Sequence, residues 1–264
     1  MMALRPAPTP ASSPSAFVGR RRGRALRPMH RRLLETRLPT LEIPPGDGPL
    51  NPERLFASPR RELWLEVGFG CGEHLLAQAA ANPDVGLIGC EPFLNGVASA
   101  LAGMETTGVW DNIRLWTEDA GALLDRLPDA SLQRCFVLFP DPWPKRRHHK
   151  RRFIAPATLD RLARTLRPGG QLRLASDHGD YIRWMLLHAT RHRSFQWLAQ
   201  RASDWLVRPS DQVATRYETK ALAGAPYYLC FQRRDAPCDA AATPVPPPLR
   251  ADAGGRDTAP PPAS

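Results

Sequence analysis

Between about residues 50 and 234, short unbroken apolar runs alternate with helical patterns. A strand that is apolar on both sides has no face to turn to water. It must be covered from above and below, which points to a parallel sheet wrapped by helices. The spacing predicts strands over 63–67, 85–90, 113–116, 135–139 and 172–175, with a late strand over 227–231. Helices are expected over 73–81, 94–104, 123–127, 158–166 and 181–189. Asn82-Pro83 closes the first of them, and Arg167-Pro168-Gly169-Gly170 is expected to stop the fourth. The fold class is therefore α/β, a mostly parallel sheet with helices on both faces.

Proline bounds that folded part. There are 29 in 264 residues, clustered at the two ends, and this is about twice ordinary usage. Residues 1–18 read as a disordered leader, 19–49 as a basic arm, 50–234 as the folded domain and 235–264 as a disordered Pro/Ala-rich tail. The arm holds Arg20, Arg21, Arg22, Arg24, Arg27, Arg31, Arg32 and Arg37. With 36 Lys+Arg against 26 Asp+Glu, the net charge of +10 suits a polyanionic partner. The arm is expected to touch RNA backbone and to order on binding.

Several classes are disfavoured. No apolar run approaches the roughly 18 residues of a membrane span, and the N-terminus lacks a secretory apolar core. Pro6, Pro8, Pro10 and Pro14 oppose an amphipathic transit helix. The five cysteines, Cys71, Cys90, Cys135, Cys230 and Cys238, form no Cys-x-x-Cys pair, so no zinc site is expected and a reducing, cytoplasmic setting is.

Chemistry concentrates at the carboxyl ends of the expected strands. Five in a row carry an acidic residue at or just beyond that end: Glu66, Glu91, Asp119, Asp141 and Asp177. In open α/β sheets ligands bind at this edge. Converging carboxylates repel one another and lose solvation, so a chain that keeps them is using them on ligand donors. Glu66-x-Gly68-x-Gly70-x-Gly72 supplies a turn whose backbone N–H groups are open to close approach. A nicotinamide fingerprint would need glycine at position 73, where Glu73 would repel a pyrophosphate. Glu91, 19 residues after Gly72, has the spacing of a ribose-binding carboxylate, and Asp119 could take an adenine amine. A cofactor with ribose and adenine but no phosphate fits, and S-adenosylmethionine is the expected one.

The most distinctive segment runs from Phe139 through Pro140-Asp141-Pro142-Trp143-Pro144 to Lys145-Arg146-Arg147-His148-His149-Lys150-Arg151-Arg152. Prolines on both sides of Asp141 restrict its backbone and aim its carboxylate. Trp143 offers a flat face to a base. Six cations among the eight residues 145–152 could engage several phosphates. His148 and His149 read as phosphate or hydroxyl contacts, and no metal is expected. Trp64 and Phe69 read as core, and Trp184, His188 and His192 as ordinary helix residues.

The chain resembles the bacterial tRNA (guanine-N7-)-methyltransferases over about residues 18–234. The likeness rests on Glu66-Val67-Gly68-Phe69-Gly70-x-Gly72, on the Phe-Pro-Asp-Pro-Trp-Pro-Lys run with its basic continuation, and on Thr215-Arg216-Tyr217-Glu218. The Pro-rich leader and tail depart from the family pattern without touching these motifs. The resemblance implies a seven-stranded, Rossmann-like class I methyltransferase fold and methylation of the variable-loop guanine at position 46 of tRNA. It implies cofactor contacts at Glu66, Glu91, Asp119 and Asp141, beside the turn glycines Gly68 and Gly70. It implies substrate contacts at Lys145, Asp177, Thr215, Arg216, Tyr217 and Glu218, and RNA contact at Arg147, His148, His149, Lys150, Arg151 and Arg152. Asp141 would be the active-site residue. Without the resemblance, 215–218 reads as a polar surface loop.

Guanine N7 is an unprotonated acceptor at neutral pH, so its methylation calls for no strong base. Asp141 is expected to orient the purine and to stabilise the positive charge that develops on it. Two other readings remain open: an RNA-binding protein on an inactive methyltransferase fold, and a methyltransferase with a protein or small-molecule acceptor.

Overall fold

The computed structural model describes residues 21, 23–220 and 223–235. The expected leader (1–18), nearly all of the expected tail, Arg20, Arg22 and Cys238 lie outside them.

Two helices, α1 (Pro28–Thr36) and α2 (Leu38–Leu41), come first. The alternating body follows as β1 (Glu62–Val67), α3 (Glu73–Ala81), β2 (Val85–Cys90), α4 (Leu94–Thr107), β3 (Ile113–Trp116) and α5 (Ala120–Arg126). It continues with β4 (Leu132–Leu138), α6 (Pro156–Thr165), β5 (Leu166–Ser176) and α7 (Gly179–Arg191). The chain then adds β6 (Phe195–Trp197), the short helices α8 (Ser203–Leu206) and α9 (Arg216–Lys220), and β7 (Tyr227–Arg233).

All seven strands form one sheet in the order β3-β2-β1-β4-β5-β7-β6. β1 to β5 run parallel, and β7 lies antiparallel between β5 and β6. Each face carries its own core. Leu65, Ile88, Cys135 and Leu174 meet Leu159 and Leu162 on one side. Trp64, Leu87 and Phe136 meet Leu75, Val97 and Leu101 on the other. The apolar strands are thus covered on both faces, as their composition requires. Trp64 and Phe69 are core, and Cys90 and Cys135 are buried free thiols. Among the described residues no helix is long and apolar enough to cross a membrane.

Three differences from the sequence reading have physical causes. The Arg167-Pro168-Gly169-Gly170 run lies inside β5 and does not precede it. Pairing moves from Leu132–Leu166 to Arg134–Gln171, so β5 bulges by three extra residues and then rejoins β4. Strand β6 has only three residues, too few for any pattern to mark. Residues 28–43, expected as part of the arm, pack on the domain. Pro28 opens α1, Leu33 is 1% exposed, and Leu38, Leu41 and Ile43 are buried. The Ile43 N–H donates to Leu115 O at 2.8 Å, which covers the free edge of β3. Apolar residues spaced among the arginines make this an amphipathic anchor on α4.

Leu33→Ala should therefore cost about 2–5 kcal/mol in urea unfolding. An unchanged midpoint would mean that α1 is not docked.

Candidate active site at the carboxyl edge of the sheet

Strand order reverses between β1 and β4, and crevices form at the carboxyl ends of such a pair. β1 runs into Gly68-Phe69-Gly70-Cys71-Gly72, and β4 into Phe139-Pro140-Asp141-Pro142-Trp143-Pro144. These two turns border the crevice.

The β1 turn bends through left-handed backbone at Gly68, Gly70 and Gly72, with φ of 73°, 58° and 90°. A Cβ at Gly68 would meet no atom within 4 Å, so the backbone there faces open space. The first turn of α4 presses on this loop: a Cβ at Gly96 would fall 2.4 Å from Gly70 O. Glu91, just past β2, fixes the arrangement. Its Oε2 accepts from Gly70 N and its Oε1 from Phe93 N, each at 2.9 Å. Burial pushes its carboxyl above the usual carboxylate range; these two N–H groups oppose the rise, and the nearby charges of Asp141 and Glu66 add to it.

Glu66 lies beneath the turn and is 4% exposed. Its Oε2 faces His74 Nδ1 at 2.8 Å, with the imidazole N–H donating to the carboxylate oxygen. His74 Nε2 lies 3.3 Å from Gln78 Nε2, and Gln78 donates in turn to Asp211 O. The imidazole packs edge-on against Phe136. A buried polar chain thus ties the first carboxylate to the loop that leads into α9.

Asp119 caps α5, accepting from Ala122 N at 3.2 Å, and burial raises its carboxyl. Asp177 Oδ2 accepts from Ala223 N at 3.0 Å. Asp141 differs from these: among the described residues it has no hydrogen-bond or ion-pair partner. Surrounding protein atoms raise its carboxyl, although the residue is open at the crevice mouth. Phe139 and Trp143 on either side have φ of 51° and 43°, unusual for side-chain-bearing residues. Such strain costs of order 1–3 kcal/mol each and gathers at functional sites. The Phe139 N–H holds the turn to β5 through Ala175 O at 2.8 Å.

Of residues 215–218, expected as a loop, Arg216, Tyr217 and Glu218 open helix α9 and Thr215 precedes it. Thr215 Oγ1 accepts from Glu218 N at 3.2 Å, a local cap that competes with an extended loop. Tyr217 is 53% exposed, and its Cε2 would lie 3.3 Å from a Gly70 Cβ. Arg216 Nη1 points to Cys71 Sγ at 3.9 Å. The Thr-Arg-Tyr-Glu segment therefore sits across the glycine turn. Glu218 turns inward, accepting from Tyr228 Oη at 2.6 Å and Arg208 Nη1 at 2.7 Å. It helps to wall a groove of about 480 Å³ beside α9.

The basic run forms a 3₁₀ turn over Arg146–Arg151. Lys145, Arg146, Arg147, Lys150 and Arg151 are exposed. The Arg151 guanidinium lies 4.9 Å from the Trp143 ring, and His148 meets the same ring edge-on. His149 packs on Trp184, with Nε2 3.4 Å from Pro144 O. Arg152 requires a correction: expected to contact RNA, it is 2% exposed and bonded to Pro142 O and Asp180. A buried guanidinium cannot reach a phosphate. Among the described residues no three potential metal ligands lie together.

Sequence reasoning missed His74, Arg152 as an interior group, and the Arg21–Glu118 ion pair that holds the arm near β3. The one available signal was His74 and Gln78, four apart on α3 and so on one face.

Residues 60–227 match the family described as "Putative methyltransferase". The chain is 55% identical over 238 residues to the tRNA (guanine-N(7)-)-methyltransferase of Rhodospirillum rubrum, covering 88% of this chain and 93% of that protein. It is 49% identical over 221 residues to the protein of that name from Paramagnetospirillum magneticum, covering 83% and 92%. With the one from Nitrobacter hamburgensis it shares 50% identity over 211 residues, covering 80% and 82%.

His74→Phe keeps ring volume and removes the donor to Glu66. It should cost at least about 2 kcal/mol in urea unfolding, the penalty for an unpaired buried acceptor. Unaltered stability would contradict the Glu66–His74 pairing.

Proposed function

The chain belongs to the bacterial tRNA (guanine-N(7)-)-methyltransferase family, and from that membership we propose that it methylates N7 of guanine 46 in the tRNA variable loop, with S-adenosylmethionine as donor. The observation that carries this reading is the pairing of β1 and β4, which sets an open glycine turn beside an unpaired carboxylate, Asp141.

The residues present suit the cofactor. The turn after β1 approaches a ligand without side chains in the way, and Glu73 at the start of α3 disfavours phosphate. Gly68 and Gly70 would line the cofactor, Glu91 would accept from ribose hydroxyls and Asp119 from the adenine amine. Glu66, held through Oε2 by His74, keeps Oε1 for the ligand. Tyr217 and Arg216 would close the site from the α9 side. When bound, S-adenosylmethionine supplies an electrophilic sulfonium methyl.

Asp141 would accept from guanine N1–H and the exocyclic amine, orienting N7 and stabilising the charge that the purine gains. Asp177, at the end of the neighbouring strand, would share that task, with Lys145 donating to O6. Thr215 and Glu218 would hold the substrate-side segment in shape. Arg147, His148, Lys150 and Arg151 would meet the RNA backbone, with His149 on the wall behind them. Arg27, Arg31 and Arg32, exposed on and beside α1, extend the positive surface.

Borohydride and aniline cleave RNA at 7-methylguanine, so treated transcripts should break at guanine 46 alone, and a G46A transcript should stay whole. Label transfer without cleavage would discard N7, and no transfer to any RNA would discard tRNA. Asp141→Asn should lower kcat about 10²–10³-fold, as loss of a transition-state contact does. Its rate-pH profile in the wild type should be level above the raised carboxyl titration, and a rising limb near neutrality would indicate a base instead.

Glu91 gives a second pH test. Its buried carboxyl gains a proton at higher pH than an exposed one. The accepting charge is present above that raised value and is lost as pH falls through it. Cofactor affinity by calorimetry should be level at neutral pH and fall on acidification. Glu91→Gln should weaken binding about ten- to a hundredfold, the value of one or two charged hydrogen bonds, and leave a shallower pH dependence carried by Asp119. An identical decline in the variant would acquit Glu91.

A further inference from the structure

Of the cations from Lys145 to Arg152, Arg152 alone is buried, and it faces away from the RNA side of the turn. Its Nε donates to Pro142 O at 2.9 Å, one residue after Asp141. Its Nη2 pairs with Asp180 in the first turn of α7, three residues after Asp177. Its Cζ lies over both the Tyr181 and the Trp184 ring, 5.0 Å from each centroid. The chain just beyond it is tied to the same helix: Trp184 Nε1 donates to Ile154 O at 2.6 Å, and Ile154 N donates to Tyr181 Oη at 3.3 Å.

We propose that Arg152 is a positioning residue that sets the separation of Asp141 and Asp177 by bridging the β4 turn to the start of α7. The proposal rests on the reading of those two carboxylates as guanine contacts. Below them, β4 and β5 are joined in register, Leu138 beside Ala175. Above the sheet that register ends, and the β4 turn passes through two left-handed residues, Phe139 and Trp143. A strained turn relaxes unless its surroundings hold it. Arg152 holds it at Pro142, and His149 adds a weaker hold at Pro144 O.

Only a guanidinium meets this geometry. Its fork donates in two directions at once while its flat face lies against aromatic rings. A lysine ammonium carries the same charge but cannot bridge both acceptors from between Tyr181 and Trp184. Asp180 and the two rings compensate a charge that would otherwise be expensive to bury.

The test uses the full-length protein with a tRNA transcript. It measures kcat at saturation, cofactor affinity, and tRNA affinity against salt. Arg152→Lys should lower kcat about a hundredfold, the cost of displacing a reacting group by about 1 Å. Cofactor affinity and the salt slope for tRNA should stay at wild-type values. Arg151→Ala should behave oppositely, weakening tRNA binding and reducing the salt slope by about 0.7–0.9. Asp180 is 54% exposed, so water can reach the Arg152 fork once its carboxylate is removed; Asp180→Ala should fold with reduced stability and reproduce the loss of kcat. The double variant should be no slower than either single one, since both break one bridge.

Wild-type kcat in folded Arg152→Lys, or a loss confined to tRNA affinity and its salt slope, would overturn the proposal. Should Arg152→Lys fail to fold, wild-type kcat in Asp180→Ala overturns it equally. Full activity in Asp141→Asn would sink the underlying reading of the carboxylates. An inactive Asp141→Asn beside a fully active Arg152→Lys would sink the positioning claim alone.

Discussion

The parallel pairing of β1 with β4 governs everything built above the sheet. Leu65 lies beside Cys135 and Val67 beside Val137, so the two strands end within one residue of each other. From that pair the chain winds outward in opposite directions, through β2 and β3 on one side and β5 and β7 on the other. Helices therefore leave the sheet on both sides and open a crevice between the two turns. One turn offers glycine backbone at Gly68, Gly70 and Gly72; the other is stiffened by Pro140, Pro142 and Pro144. The first can lie close against a ligand, and the second can present Asp141 at a fixed angle. That division of labour suits a reaction whose demand is alignment and not proton transfer.

Much of this was legible because strand burial and strand composition are the same fact seen twice. Val85–Cys90 is buried along its whole length, and its residues are apolar throughout. The Asn82-Pro83 stop and the left-handed Gly72 bound α3 where the sequence placed it. The carboxyl-edge acids were visible by the same logic, since each lies at or just beyond a strand end that was already marked. Other features were hidden for equally physical reasons. A Pro-Gly-Gly run normally ends an element, but β5 carries it as a bulge because β4 continues alongside and recaptures the chain. The arginines around Leu33 read as an arm that orders only on RNA, while the leucines between them decide which face docks on the domain.

The site's supporting groups were the least legible. Glu66–His74, Arg152–Asp180 and Glu218–Tyr228 are all contacts between residues distant along the fold's path or set by a rotamer. In sequence, Arg152 is the last member of a basic run and looks like its neighbours. Folding distinguishes it, since the 3₁₀ turn leaves five cations exposed and the residue just past it turns in against Tyr181 and Trp184. These buried polar contacts restrain the groups at the crevice, whereas the exposed cations beside them remain free for a long, charged partner.

The most direct test of a shared crevice is a crystal structure with S-adenosylhomocysteine and tRNA bound together. The sulfur should lie between the Gly68–Gly72 turn and Asp141, with the target guanine turned out of its stack against Asp141 and Asp177. The phosphates flanking it should lie against Lys150 and Arg151. A guanine held on any other face of the sheet, or a sulfur outside the β1–β4 crevice, would contradict this arrangement.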